Sequence, residues 1–207
     1  DLYTLSVSAA DLAGNVSEET LLFSVNRFGS AYLFDSKTQE ALDRFYLDRP
    51  TGLNVTEINV DTLEFREITC GRDGELCRLR QGEDYRVTQS DSKEGWKAYT
   101  YEIGPENFRE DGFYTVTIYS EDKASNRSSN GIKEKEIAFA VDTAPPSVVV
   151  TGVEDQARYY DTGRTVTIDI RDNLSLLCAE VWLNGRLADT FDQEELAASG
   201  GIVTFSL

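Results

Sequence analysis

The chain has 207 residues, with 20 Lys and Arg against 37 Asp and Glu, no His, three Cys and a net charge of −17. So acidic a balance argues against nucleic acid and anionic membrane surfaces, which both attract basic patches. The lack of His removes Ser-His-Asp and Cys-His catalysis and the common zinc ligand sets.

No apolar run approaches the roughly 18 residues of a membrane-spanning helix, so no membrane insertion is expected. No signal peptide is visible, and the first residue is Asp1 rather than Met, so the sequence reads as a piece of a longer protein. Residues 1–26 predict a β-hairpin: Tyr3, Leu5 and Val7 alternate with Thr4, Ser6 and Ser8, and Phe23 and Val25 return. The turn between them holds Asp11, Ala13, Gly14 and Asn15. Asp accepts backbone N–H bonds in such a turn, and Gly and Asn tolerate the left-handed backbone.

After a junction at 26–30, Ala31–Phe34 predicts a first strand and Lys37–Tyr46 one or two helical turns, ended by Pro50 and Gly52. Leu53–Asn59 and Leu63–Cys70 read as strands. Asp73-Gly74 is a type I′ hairpin signal, with Leu76–Arg80 returning. Tyr85–Ser90 and Trp96–Ile103 add two strands before Gly104-Pro105. Tyr114, Val116 and Ile118 then alternate toward a second hairpin closed by Ile137, Phe139 and Val141. Pro145 and Pro146 stiffen a second junction. Beyond it lie strands at Val148–Thr151, around Val166, Ile168 and Ile170, around Ala179, Val181 and Leu183 ahead of Asn184-Gly185, and at Ile202–Leu207.

The two hairpins are copies. Tyr3 and Tyr114, Leu5 and Val116, Val7 and Ile118, Asp11 and Asp122, and Asn15 and Asn126 each stand 111 residues apart. Such an internal repeat outranks other signals in a sequence. Glu110-Asp111-Gly112-Phe113-Tyr114 resembles the run entering strand F of immunoglobulin-like domains, where a Tyr hydroxyl bonds back to nearby backbone. Leu5 and Val116 stand where an antibody domain has a Cys, so that inter-sheet disulfide is absent. The pattern Y-x-[LV]-x-[VI]-x-x-x-D-x-A-[GS]-N followed by F-x-V-[DN] resembles the bacterial Ig-like repeats of secreted and surface-anchored proteins.

The resemblance implies an all-β chain of tandem immunoglobulin-like β-sandwich modules, the terminal ones incomplete. Residues 1–28 are then the closing F–G hairpin of one module, 29–142 a complete module, and 143–207 the first strands of a third. The fold motif is carried by Tyr3, Asp11, Asn15, Tyr114, Asp122 and Asn126. An unfinished sandwich leaves strand edges unpaired, so one reading has residues 1–26 of one molecule completing residues 147–207 of another. The plainer reading is frayed ends.

Chemistry-bearing candidates are few. Asp11 with Asn15, Asp122 with Asn126, and Asp142 and Asp172 near the second junction could offer oxygen to Ca²⁺, or simply bond their own turns; no other cofactor is expected. Trp96, Tyr99 and Tyr101 share one strand and could stack on a sugar ring or pack a core. Cys70 and Cys77 flank the Asp73-Gly74 turn opposite one another, so a cross-strand disulfide or two free thiols fit. The carboxylates fall mostly in turns and on strand exteriors, with no cleft, so no enzyme is expected. The expected function is structural: an extracellular, bacterial cell-surface or cell-wall spacer that supports an adhesive or catalytic domain, with neighbouring modules as partners. The alternative is a module that binds a glycan or host protein.

Overall fold

The computed structural model describes residues 2–91, 95–160 and 163–206. Asp1 and Leu207, the outer residues of two predicted strands, lie outside them. The chain is mostly β-strand and divides into two compact units, Asp1–Val141 and Asp142–Leu207.

The first unit opens with a hairpin of β1 (Leu2–Ala10) and β2 (Val16–Ser24), paired from Leu2↔Ser24 to Ala10↔Val16. β3 (Ala31–Phe34) leads into α1 (Ser36–Arg44), which Asp35 caps by accepting from the Thr38 amide at 2.8 Å. The helix is shorter than Lys37–Tyr46. Phe45 turns to φ 63°, and Tyr46 and Leu47 become a short strand, β4 (Tyr46–Leu47).

β5 (Leu53–Asn59), β6 (Leu63–Arg72), β7 (Glu75–Arg78), β8 (Tyr85–Asp91) and β9 (Lys97–Ile103) follow. β7 stops before Arg80, whose carbonyl instead accepts the turn amides of Glu83, Asp84 and Tyr85. A 3₁₀ turn at Pro105–Phe108 precedes β10 (Gly112–Asp122), β11 (Arg127–Ser129) and β12 (Ile137–Val141).

Two sheets result. One has the order β3-β5-β9-β8, the other β4-β12-β10-β6-β7 with β11 beside β10. β4 joins β12 in parallel, and β10 is antiparallel to both β6 and β12. Period-two alternation turns one side of each strand inward. From β5 that side presents Leu53 and Val55, from β9 Tyr99, Tyr101 and Ile103, from β10 Tyr114, Val116 and Ile118, and from β12 Ile137, Phe139 and Val141. These side chains form one continuous core drawn from both sheets, with Phe108 of the 3₁₀ turn wedged edge-on against Tyr114 and Phe139.

The second unit has β13 (Ser147–Thr151), β14 (Thr165–Arg171), β15 (Cys178–Leu183), β16 (Arg186–Asp192), α2 (Gln193–Ser199) and β17 (Ile202–Ser206). Its sheets are β13-β14-β17 and β15-β16. Its core is small: Ile170, Leu196 and Val203, with Ile168, Leu176, Ala179 and Phe191 packed around them. α2 was not evident from periodicity, yet it carries a full capping box between Asp192 and Glu195 and ends on Gly200 in the left-handed conformation.

Candidate functional site: the Asp122 junction

The first unit buries a polar knot where its entering strand meets the β10–β11 turn. Asp122 closes β10. Its Oδ1 accepts the amides of Ala124 at 3.0 Å and Asn126 at 2.9 Å, and the Asn126 side chain donates to Oδ2 at 3.1 Å. Ser125 takes φ 62° at the tip. The first hairpin builds the same cage. Asp11 accepts the amides of Ala13 and Asn15, each at 2.9 Å, and the Asn15 side chain at 2.8 Å, with Gly14 at φ 89°.

The two cages differ in what reaches them from outside. Asp11 lies in solvent, whereas Asp122 is buried and gathers further donors. Asn26, just beyond β2, donates to Asp122 Oδ2 at 2.7 Å and to Asn59 Oδ1 at 3.0 Å. Asn59, at the end of β5, donates to Asp122 Oδ2 at 3.1 Å and to Ser30 Oγ at 3.0 Å. Asn126 returns a bond to the Asn26 carbonyl at 3.1 Å. The Ser30 amide donates to Ser128 Oγ at 2.9 Å. Gly29 between them sits at φ 63°, and a Cβ there would collide with the same Ser128 hydroxyl. Lys133 reaches over to the Phe28 carbonyl. Residues 26–30 are thus fastened to the rest of the first unit by side chains from β5, β10, β11 and the β10–β11 and β11–β12 turns.

Burial alone would raise the Asp122 carboxyl. The bonds from Asn126, Asn59 and Asn26 outweigh it and hold the group below the ordinary aspartate value. Its two oxygens accept these N–H donors, Oδ1 from the turn amides and Oδ2 from the three asparagine side chains. Of the remaining calcium candidates, Asp11 closes its own turn as described, and Asp142 and Asp172 belong to the second unit. Asp142 follows β12, and Asp172 Oδ1 accepts the amides of Leu174 at 2.9 Å and Ser175 at 3.0 Å. Among the described residues no three His, Cys, Asp or Glu side chains gather as a metal-binding group.

The aromatic strand places differently from an exposed row. Tyr99 and Tyr101 are 2% and 0% exposed and point into the core, closed to a sugar ring, while Trp96 is half-buried just before β9. Tyr101 donates to Glu57 Oε2 at 2.6 Å, Tyr32 to Glu57 Oε1 at 3.3 Å, and Ser120 also bonds Oε1. The carboxylate of Glu57, wholly buried, is thereby held by three hydroxyls. Burial first, then Glu57, pushes both tyrosines far above their ordinary values.

The Tyr114 hydroxyl donates to the Glu110 carbonyl, four residues upstream, at 2.7 Å. Cys70 and Cys77 are opposite one another across β6 and β7, and both are free thiols. Each sulfur is turned to a neighbouring carbonyl, Cys70 to Gly71 and Cys77 to Arg78.

Asn26, Ser30, Asn59, Ser128 and Glu57 escaped the sequence reading. The signal for Glu57 and Asn59 was present. Both occupy the inward positions of the Leu53–Asn59 alternation, where a polar residue needs a buried partner. No family model matches the chain, and no curated protein matches it.

Proposed function

We propose that the chain is a structural spacer built of immunoglobulin-like sandwich modules, which fixes distance and direction for domains elsewhere in an extracellular, bacterial surface-attached protein. The observation that carries this reading is the Asp122 knot. A spacer transmits orientation only if its junctions do not swivel, and here the entering chain is bonded by side chain and backbone to the module's own F-strand turn. Support for the module type comes from the order β4-β12-β10-β6-β7 facing β3-β5-β9-β8, the parallel β4–β12 pair, and the Tyr114 hydroxyl on Glu110. The matching cages at Asp11 and Asp122 support reading the first hairpin as the end of an earlier module.

The test is an array of glycans and extracellular-matrix proteins probed with the full chain. A spacer gives no reproducible signal. A specific signal abolished by Trp96→Ala contradicts the reading and makes the chain a ligand-binding module. A melting temperature unchanged by EDTA is expected, because the Asp122 cage presents hydrogens rather than oxygens to its carboxylate.

A further inference from the structure

The β6–β7 hairpin closes one side of the sheet β4-β12-β10-β6-β7, and among the described residues β7 pairs with β6 alone. All four residues of β7 are exposed. Alternation along β6 turns Ile68 and Cys70 inward, and Cys70 joins the core at 7% exposure. The register Cys70↔Cys77 puts the Cys77 side chain on the same face of the sheet. Cys77 is nevertheless exposed, because that face opens at β7 into a cleft of about 630 Å³. Both cysteines line the cleft, with Arg72, Arg80, Arg109 and Tyr114 around them. Its volume is in the range of sites that admit small molecules.

The pair meets the geometric needs of a disulfide. Asp73 and Gly74, both at positive φ, make the two-residue turn that fixes the register. The Leu79 amide donates to the Ile68 carbonyl at 2.9 Å, so Cys70 and Cys77, two rows along, form a hydrogen-bonded pair. Such pairs stand about 5.5 Å apart at Cα, within the roughly 4.4–6.8 Å that a disulfide bridges. Little holds the sulfurs apart. They donate to the Gly71 carbonyl at 3.9 Å and the Arg78 carbonyl at 3.7 Å, and a thiol is a weak donor. The third thiol has no such neighbour, since Cys178 stands opposite Asp192.

We propose that Cys70 and Cys77 form a reversible dithiol–disulfide site, oxidised by small disulfides that enter the cleft, and that the bond staples the edge strand to β6. The Cys77 thiolate attacks one sulfur of the small disulfide. A mixed disulfide forms, and the first small thiol leaves with the proton that Cys77 gave up. Cys70 then attacks the Cys77 sulfur, and its proton goes to the second small thiol as that leaves. Two protein thiols are oxidised, and one small disulfide is reduced to two thiols. The order follows from environment. Cys77 faces solvent, whereas burial pushes the Cys70 thiol up to about 11, so Cys70 loses its proton only as the second bond forms. A disulfide at an open edge is also within reach of reductant, which makes it the labile kind. This goes beyond the spacer reading and is independent of it, because the hairpin lies within one sheet of the first unit.

The test uses the full chain carrying Cys178→Ser, native and reduced, incubated with oxidised glutathione at mildly alkaline pH and followed by intact mass. The expected product has lost two hydrogens and carries no glutathione. Trypsin cuts after Arg72 and Arg78, so peptides 67–72 and 73–78 are expected to be recovered joined. Excess reduced glutathione is expected to restore both thiols without denaturant. Cys70→Ser is expected to keep glutathione on Cys77, and Cys77→Ser to take none while folded. Hydrogen exchange at the Leu79 amide is expected to slow roughly tenfold or more in the oxidised chain. With both cysteines present, a lasting adduct on Cys77, no reaction, or a bond that forms only in guanidinium overturns the proposal. So does a bond that reduced glutathione leaves intact, or unchanged exchange at Leu79.

Discussion

The Asn26 side chain donates to the Asp122 carboxylate at 2.7 Å, joining residues 96 positions apart in the sequence. Asn26→Ala removes this bond and the one to Asn59 while leaving the core intact. A bond to a charged acceptor contributes about 1.5–3 kcal/mol. The expected loss is about 2 kcal/mol in urea unfolding of the first unit, followed by Trp96 fluorescence in a Trp182→Phe background. A loss within error of zero contradicts the assignment of the knot.

Acid should act on the same carboxylate. Its folded-state value is depressed, so the stability it contributes is present above the ordinary aspartate range and disappears as pH falls through the lower folded value. Urea midpoints of the first unit are expected to be flat between pH 7 and 5 with respect to this group and to fall below about 4. Asp122→Asn should be less stable at pH 7 and should show a shallower acid limb. An unchanged limb places the acid sensitivity on other carboxylates.

Glu57 offers a test of coupling. Its counterpart in the second unit is Ile168, and the counterpart of Tyr101 is Phe205, judged by the pairs Val55↔Tyr101 and Val166↔Phe205. Glu57→Ile alone takes the shared acceptor from three buried hydroxyls: Tyr32 and Ser120, 3.5 Å apart, keep their bond to each other, while Tyr101 loses its bond to Oε2, each unmet group costing about 1–3 kcal/mol. Adding Tyr101→Phe removes one of them. The double variant is therefore expected to be more stable than Glu57→Ile by about 1 kcal/mol or more, measured by urea unfolding of all four corners of the cycle. Additive losses would mean that the hydroxyls find other partners.

The cysteines separate by environment. Burial, then the neighbouring Cys77, pushes the Cys70 thiol up to about 11, so it stays protonated and shielded at pH 8. Cys77 and Cys178 are exposed. Iodoacetamide on the reduced native chain is expected to give two adducts by mass spectrometry, and three in guanidinium. Rapid addition of a third under native conditions contradicts the burial of Cys70.

Much of the strand framework was legible because alternation and turn chemistry agree. Leu53–Asn59 and Ala31–Phe34 form strands with the expected bounds, and Asp73-Gly74 sets the register that brings Cys70 opposite Cys77. The facing of Tyr99 and Tyr101 was harder to read, because Lys97 shares their side. Lys97 is tolerated there at the strand end, where its ammonium lies 3.4 Å from Asp91. β4 was hidden because its parallel pairing to β12 is non-local and only two residues long. The Asp122 cage could be read from D-x-A-[GS]-N, but not its partners. Asn26 and Asn59 meet it only through the fold, at separations of 96 and 63 residues.

The most direct test of the spacer account is the ¹H–¹⁵N heteronuclear NOE of backbone amides at residues 26–30, compared with those of β5 and β10. The knot predicts module-like values through the junction in the native chain and a fall across these residues in Asn26→Ala. Low, tail-like values in the native chain would show a swivelling junction and contradict the account.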